Sequence, residues 1–157
     1  MPPAAKTQAI LVLCEGNHCR SPIAEGLFRA GLGPGFRVES AGLAALEGYA
    51  PHPQAIRLMA EQGQNITGLR GHQVTEAQAL AADLILVMDH QQKAWCERFA
   101  PSIKGRVFLL GHWLQPGGQE IPDPIDDPAC LFEPAFALIL QAVTAWSTHL
   151  LATSRST

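Results

Sequence analysis

An apolar segment at residues 9–13 is followed at once by a short loop with a glycine and then by a helix-forming stretch. The loop, residues 14–21, reads Cys-Glu-Gly-Asn-His-Cys-Arg-Ser. Five successive apolar residues predict a strand buried on both faces, as in parallel sheets. A loop between such a strand and a helix N-terminus brings backbone N–H groups together and favours an anion. The segment therefore predicts an α/β fold with an anion site after the first strand.

Strands and helices alternate along the rest of the chain. Further strands are predicted at residues 36–40, 84–88 and 106–110, and helices at 53–62, 76–82, 90–99 and 132–151. This alternation predicts an open four-stranded parallel sheet with helices on both faces, and a ligand site beyond the carboxyl ends of the strands. A length of 157 residues fits one domain spanning residues 1–157.

The stretch at residues 132–151 is apolar enough to suggest a membrane span. Its large apolar residues recur every three or four positions, at Phe132, Phe136, Ile139, Val143, Trp146 and Leu150. That spacing predicts one buried stripe of an amphipathic helix, so we expect no membrane insertion. At the other end, the apolar run after residues 1–6 is too short for a signal peptide. A cytoplasmic protein is the expectation.

Charge and cysteine content disfavour several classes of function. The formal net charge is −3 and no basic run occurs, so nucleic acid is not expected as a partner. The four cysteines form no framework of the secreted kind, and a reactive thiol needs a reducing compartment. Cys96 and Cys130 lie far apart, so they supply no second close pair for zinc, and we expect no metal.

Cys14 and Arg20 face the same predicted anion, and this sets the chemistry of the loop. A thiol beside a guanidinium or at a helix N-terminus loses its proton readily, so Cys14 is predicted to be a thiolate nucleophile. Arg20 can bind two phosphoryl oxygens at once. Gly16 lets the backbone approach a phosphate, and Asn17 can hold the loop by side-chain-to-backbone hydrogen bonds.

The other loop residues complete the predicted phosphate site by their position. Ser21 sits where its hydroxyl would donate to the Cys14 sulfur. The side chains of Glu15 and His18 are expected to point away from the phosphate, because a carboxylate would repel the dianion. Cys19 is predicted either to capture an oxidised Cys14 as a reversible disulfide or simply to pack within the loop.

The longer string Cys-x-Gly-Asn-x-Cys-Arg-Ser-Pro, ending at Pro22, resembles the low-molecular-weight protein tyrosine phosphatases. The segment Ile121-Pro122-Asp123-Pro124 is similar to the Asp-Pro loop of that family. The resemblance implies a phosphotyrosine phosphatase I-like fold and hydrolysis through a cysteinyl-phosphate, with no cofactor. It also implies that Asp123 acts as general acid and then as general base. Asp126 and Asp127 compete for this role, but only Asp123 has the family's sequence context.

Leu46 and Ile125 occupy the positions where family members that act on eukaryotic-type substrates carry aromatic residues that clamp the phosphotyrosine ring. Leu46 is similar to the bacterial branch tied to capsule and exopolysaccharide export, as is the segment at residues 108–113. This implies a membrane-bound bacterial tyrosine autokinase as the phosphotyrosine partner. Ile125 departs from the pattern, so Tyr49 is either a substitute aromatic wall or a surface residue. Asp89 either braces the acid loop or caps the next helix.

Two other functions share part of this pattern. An arsenate reductase of the same fold would use the Cys-x5-Arg loop, but it needs closely spaced downstream cysteines, and proline at position 22 also favours the phosphatase. A non-catalytic phosphotyrosine-binding module would lack the cysteine, the arginine or the aspartate. All three are present in this chain.

Overall fold

The computed structural model describes residues 7–126 and 132–155, and a parallel sheet forms its centre. The strands are β1 (Gln8–Cys14), β2 (Phe36–Gly42), β3 (Leu84–Val87) and β4 (Val107–Leu109). They lie in the order β2-β1-β3-β4, and each neighbouring pair is parallel. The four predicted strands and their parallel arrangement are confirmed. The predicted strand at 84–88 ends one residue early, where the Met88 N–H donates to the side chain of Gln92 at 2.8 Å.

Five α-helices connect and cover the strands in the described part of the chain. They are α1 (Arg20–Leu32), α2 (Pro53–Glu61), α3 (Glu76–Ala81), α4 (His90–Phe99) and α5 (Phe132–Arg155). Two short 3₁₀ turns, Pro101–Ile103 and Pro124–Asp126, lie in the connections. The predicted helices therefore form, and α5 continues four residues beyond its predicted end.

Alternate side chains of β1 point to opposite faces of the sheet, as the two-residue period of a strand requires. Ile10, Val12 and Cys14 pack with buried residues of α1, α2 and α5. Leu11 and Leu13 pack on the other face, with buried residues of α3 and α4. Both faces of the sheet are thus covered by helices, as predicted.

Helix α5 buries the stripe that its sequence predicts. By length and composition alone it is apolar enough to cross a membrane. All six residues of the predicted stripe, from Phe132 to Leu150, are nevertheless buried in the core, and the helix packs chiefly against α1. Its hydrophobicity is therefore used in packing on the protein itself.

Three helices begin at a residue whose side chain accepts a backbone N–H. Thr75 caps α3 through the N–H of Gln78. Asp89 caps α4 through the N–H of Gln92 at 2.8 Å, which is one of its two predicted roles. His52 caps α2 through its ring nitrogen, a role that its sequence context did not indicate. These caps satisfy N–H groups that a helix leaves without intrahelical partners.

The strand order places a crevice at the end of β1. The chain leaves β1 for β2 on one side and later returns to β3 on the other side. In open α/β sheets such a switch point, beyond the carboxyl ends of the strands, is where ligands bind. The loop that follows Cys14 lies at this point, and so does Asp89, which follows β3.

Candidate active site

The loop after β1 is held so that its N–H groups converge. Cys14, the last residue of β1, is buried, with 2% of its surface exposed. The carbonyl groups of residues 14, 15 and 16 accept N–H groups of residues 43, 44 and 46 at 3.0, 2.8 and 3.0 Å. Within the described residues, the N–H groups of residues 15–19 donate to no protein acceptor. Because the carbonyls bond outward, these N–H groups face the inside of the loop and suit an anion.

Asn17 gives the loop its bend and holds it in place. Its φ of 51° is left-handed, the only such value at a non-glycine residue among those described. Asparagine tolerates this conformation better than most side chains. Its amide donates to the hydroxyls of Ser21 and Ser40 at 2.9 and 3.0 Å and accepts the His72 N–H at 3.0 Å. Three hydrogen bonds therefore fix this residue, two to hydroxyls and one to the backbone.

A buried carboxylate extends this network, and nothing in the sequence pattern indicated it. The Ser40 hydroxyl donates to Oε1 of Glu25 at 2.6 Å, and an Arg29 nitrogen lies 2.6 Å from Oε2. Burial raises the pKa of the Glu25 carboxyl, although Ser40 and Arg29 act in the opposite direction. Glu25 lies one helical turn after Ser21, so α1 presents both to the loop. That four-residue spacing was the only available signal for it.

The proposed nucleophile has a hydroxyl directly beside its sulfur. Sγ of Cys14 and Oγ of Ser21 are 3.0 Å apart, the contact that the sequence predicts. The same hydroxyl accepts the Asn17 amide, so its own hydrogen is free to point at the sulfur. A hydrogen bond of this kind stabilises a thiolate.

Arg20 joins the loop to the distant acid segment. It is only 3% exposed, and one terminal nitrogen donates to the carbonyl of Ile121 at 2.8 Å. The other terminal nitrogen lies 3.4 Å from Oδ2 of Asp123. The Nε of Arg20 is buried without a partner among the described residues. The structure therefore brings the predicted arginine and the predicted acid together and leaves one guanidinium donor available.

Asp123 sits at the edge of the site on a short, locally bonded segment. Its Oδ1 accepts the N–H of Ile125 at 3.0 Å and lies 4.0 Å from the sulfur of Cys19. Asp127 and Cys130 lie outside the described residues. Asp123 and Arg20 line a cavity of about 610 Å³, which Glu15 also borders. Glu15 is exposed at the rim of this cavity.

Cys19 and His18 have environments that favour their uncharged forms. Burial raises the pKa of the Cys19 thiol far above its usual value, and the neighbouring Cys14 and Asp123 raise it further. Burial also lowers the pKa of His18, with a further lowering from His52 nearby. Cys19 is therefore a poor thiolate in the resting site.

The two predicted ring-clamp positions are exposed at the mouth of the site. Leu46 is 41% exposed and Ile125 is 46% exposed, while Tyr49 is 61% exposed. The ring of His18 lies beside Tyr49, with centroids 6.4 Å apart, and beside His52 at 5.5 Å. Across residues 7–126 and 132–155, no group of three or more His, Cys, Asp or Glu side chains is arranged to hold a metal ion.

Comparison with known proteins agrees with this geometry. Residues 9–156 match the family described as low molecular weight phosphotyrosine protein phosphatase. The chain is 44% identical to the probable low molecular weight protein-tyrosine-phosphatase EpsP of Ralstonia solanacearum, over 88% of this chain and 93% of that protein. It is 38% identical to Wzb of Escherichia coli, over 88% of this chain and 92% of that protein.

Solved structures show the same fold. Wzb of Escherichia coli in complex with sulphate is 39% identical and superposes with a TM-score of 0.84, over 92% of this chain and 99% of that one. The YwlE arginine phosphatase of Geobacillus stearothermophilus is 26% identical with a TM-score of 0.88, over 95% and 96%. The family predicted from the loop and the Asp-Pro segment is confirmed: the chain belongs to the low molecular weight phosphotyrosine protein phosphatases.

Proposed function

We propose that this chain hydrolyses phosphotyrosine in proteins with Cys14 as nucleophile, Arg20 as phosphate ligand and Asp123 as the acid and base. One observation carries the proposal. Arg20 contacts both the carbonyl of Ile121 and the carboxylate of Asp123, so the acid segment lies over the loop that begins at Cys14. A nucleophile, an anion site and a proton donor are the three groups that phosphate monoester hydrolysis needs.

In the first step the phosphate dianion binds to the N–H groups of residues 15–19 and to the guanidinium of Arg20. The Cys14 thiolate attacks phosphorus, an S–P bond forms, and the bond to the tyrosyl oxygen breaks. Asp123 gives its proton to that oxygen, so tyrosine leaves neutral. The N–H groups and Arg20 bind the three equatorial oxygens and stabilise the transition state.

In the second step a water molecule hydrolyses the cysteinyl-phosphate. The Asp123 carboxylate takes a proton from the water as the oxygen attacks phosphorus and the S–P bond breaks. The electron pair returns to the Cys14 sulfur, where the Ser21 hydroxyl stabilises the thiolate at 3.0 Å. Inorganic phosphate then leaves and the ionised Cys14 is restored. In both steps the loop backbone binds the phosphoryl oxygens through the N–H groups of Glu15, Gly16, Asn17, His18 and Cys19.

Similar proteins support an oxyanion at this loop. Solved structures of Wzb from Escherichia coli hold sulphate or phosphate, and Wzb of Vibrio vulnificus, 34% identical to this chain, holds benzylphosphonate. A benzyl group beside a phosphonate mimics the ring of phosphotyrosine. We assign the corresponding ring position in this chain to the space between Leu46 and Ile125.

The natural substrate, in this proposal, is the tyrosine-phosphorylated part of a membrane-bound bacterial autokinase, acted on in the cytoplasm. The support is the resemblance of Leu46 and residues 108–113 to the exopolysaccharide branch, together with the similarity to EpsP and Wzb. The chain is proposed to act as one domain over residues 1–157. A thiolate nucleophile fits a reducing compartment.

The test is phosphate release from a tyrosine-phosphorylated peptide in weakly acidic buffer, compared among wild type, Cys14→Ser and Cys96→Ser. Cys96 is a matched control because it is buried on α4 in the other core cluster. Wild type and Cys96→Ser should release phosphate, and Cys14→Ser should not. Binding without release by the wild type would instead indicate a phosphotyrosine-binding module.

Two rival substrates belong in the same assay. Phosphoarginine peptide is included because the YwlE arginine phosphatase shares this fold. Arsenate with a thiol reductant is included because arsenate reductases use the same loop. Faster turnover of either rival than of phosphotyrosine would contradict the proposed substrate class.

A further inference from the structure

A groove leads away from the active site along α4, and the proposed mechanism does not use it. It consists of the cavity of about 610 Å³ at Arg20 and Asp123 and a second cavity of about 240 Å³. The two cavities share Glu15, Asp89 and two glutamines of α4. They therefore form one continuous depression, which we call the α4 groove. It begins at the phosphate site and ends at Trp95 and Arg98.

The end of the α4 groove near the phosphate site is acidic. Glu15 and Glu120 are exposed, and Asp89, at the start of α4, lines the same cavity. Asp89 and Glu120 each accept a backbone N–H of α4, which compensates part of their charge. The side-chain carboxylate of Glu15 forms no hydrogen bond or ion pair among the described residues. Its carboxylate is thus free to meet a cation.

The far end of the α4 groove has a different character. Trp95 stacks on Phe99, with ring centroids 4.7 Å apart and an interplanar angle of 20°. Trp95 and Leu43 are only partly buried, and both pack on the second core cluster. They form a firm apolar wall. Arg98 is exposed beyond it, in the last turn of α4.

We propose that the α4 groove binds the polypeptide next to the phosphotyrosine, with a basic residue at the acidic end and an apolar residue against Trp95. This inference rests on the proposed function, because Arg20 fixes where the phosphate lies. The groove is continuous with that position, so a chain that carries the phosphate can run directly into it. The free carboxylate of Glu15, with Asp89 and Glu120 in the same cavity, would repel acidic flanking residues and attract lysine or arginine.

Matched peptides test this directly. Phosphotyrosine peptides would carry lysine or glutamate beside the phosphotyrosine, on its N-terminal or C-terminal side, and leucine or glycine further out. On one of the two sides of the phosphotyrosine, the lysine peptide should have a kcat/KM about three- to fivefold higher than the glutamate peptide. This is the size expected for one partly exposed charge pair. p-Nitrophenyl phosphate, which has no flanking chain, reports whether the phosphatase chemistry works at all.

Two charge variants locate the effect. Gln91→Lys adds a cation to the exposed floor of the α4 groove, whereas Gln62→Lys adds the same charge at the exposed end of α2. The preference for lysine over glutamate, taken as a ratio within each variant, should fall or reverse in Gln91→Lys and persist in Gln62→Lys. Trp95→Leu should reduce the preference for leucine over glycine further out, and a thermal melt checks its folding.

The outcomes separate the two proposals. If p-nitrophenyl phosphate is hydrolysed but all the peptides react at the same rate as one another, the proposed binding role of the α4 groove is overturned. The proposed phosphatase function then remains. A lysine preference that Gln62→Lys and Gln91→Lys reduce equally would also overturn it, because the effect would then follow net charge. No hydrolysis of p-nitrophenyl phosphate would overturn the proposed function, and the groove would fall with it.

Discussion

The phosphate loop and the rim around it are built in opposite ways. Most of the loop is buried, the carbonyls of residues 14–16 are bonded to the segment at residues 43–46, and Asn17 fixes its bend through Ser21 and Ser40. The rim carries exposed aliphatic side chains at Leu46 and Ile125. In the proposed mechanism, buried hydrogen bonds therefore hold the reacting groups in place, whereas exposed side chains select the substrate.

The expected cost of a substitution in free energy of unfolding also differs between the loop and the rim. Leaving a buried donor or acceptor without its partner costs about 1–3 kcal/mol, so the loop tolerates little change. Exposed substitutions typically change stability by less than about 0.5 kcal/mol. Substitutions at exposed rim positions such as Leu46 and Ile125 are therefore expected to leave the stability of the fold almost unchanged.

The largest effect is expected from Arg20→Lys. Lysine keeps the charge but cannot bind two phosphoryl oxygens in one plane, and it loses the bond to the Ile121 carbonyl. We expect kcat/KM on phosphotyrosine peptide to fall about 10²–10³-fold. Arg57→Lys, at an exposed position of α2, is the matched control and should keep full activity. If the kcat/KM of Arg20→Lys stayed within tenfold of the wild-type value, the proposed binding of two phosphoryl oxygens by Arg20 would be contradicted.

Asp123→Asn should act on the leaving group rather than on the phosphate. An amide cannot protonate the tyrosyl oxygen, so turnover of phosphotyrosine should fall about 10²–10³-fold. The loss should be much smaller for a nitrophenyl ester, whose leaving group needs no proton. The ratio of the two rates is the measurement. Asp126→Asn should keep the wild-type ratio. If the ratio fell in Asp126→Asn and not in Asp123→Asn, Asp126 would be the general acid.

Ser40→Ala tests the buried network away from the reacting atoms. The substitution removes the bonds to Asn17 and to Glu25 together. Urea unfolding should show a loss of about 1–3 kcal/mol, because the buried Glu25 carboxylate then has no hydroxyl donor. Activity should fall with it as the loop loosens. Ser102→Ala, at an exposed serine, should change neither quantity, and equal stability in the two variants would show that the network is unimportant.

The smallest effect concerns the pH dependence of stability. Burial raises the pKa of Glu25 in the folded protein above its ordinary value of 4.5. The folded state therefore keeps the proton to higher pH, and the free energy of unfolding falls as pH rises from 4.5 through the folded pKa. Glu25→Gln should remove this part of the decline, whereas Glu61→Gln, at an exposed residue, should not. An unchanged slope in Glu25→Gln would mean that its pKa is not raised.

The chemical centre could be predicted because its signals are local. An apolar strand, a glycine loop and a helix start lie within one short segment, and the Asp-Pro motif identifies Asp123. Strand β3 and the stripe on α5 were predictable for the same reason, since β3 is a continuous apolar run and the stripe recurs every three or four residues. Only their ends differ, as where the Met88 N–H bonds to a side chain instead of continuing the strand.

The supporting parts could not be predicted because their members come from separate elements. Glu25 is on α1, Ser40 is on β2 and Asn17 is in the loop, and each alone is an ordinary polar residue. The α4 groove likewise exists only because β1 and β3 are neighbours, which brings Glu15 beside Asp89. Nothing in the sequence indicated that His52 caps α2 through its ring nitrogen.

The most direct test of the account is to trap the covalent intermediate. Wild-type enzyme would be mixed with labelled phosphotyrosine peptide, quenched in acid within one turnover and digested for peptide mapping by mass spectrometry. The proposed mechanism predicts phosphate attached to Cys14, accumulating further in Asp123→Asn when a nitrophenyl ester is the substrate. Phosphate on any other residue, or full turnover with no phosphoenzyme in either protein, would contradict it.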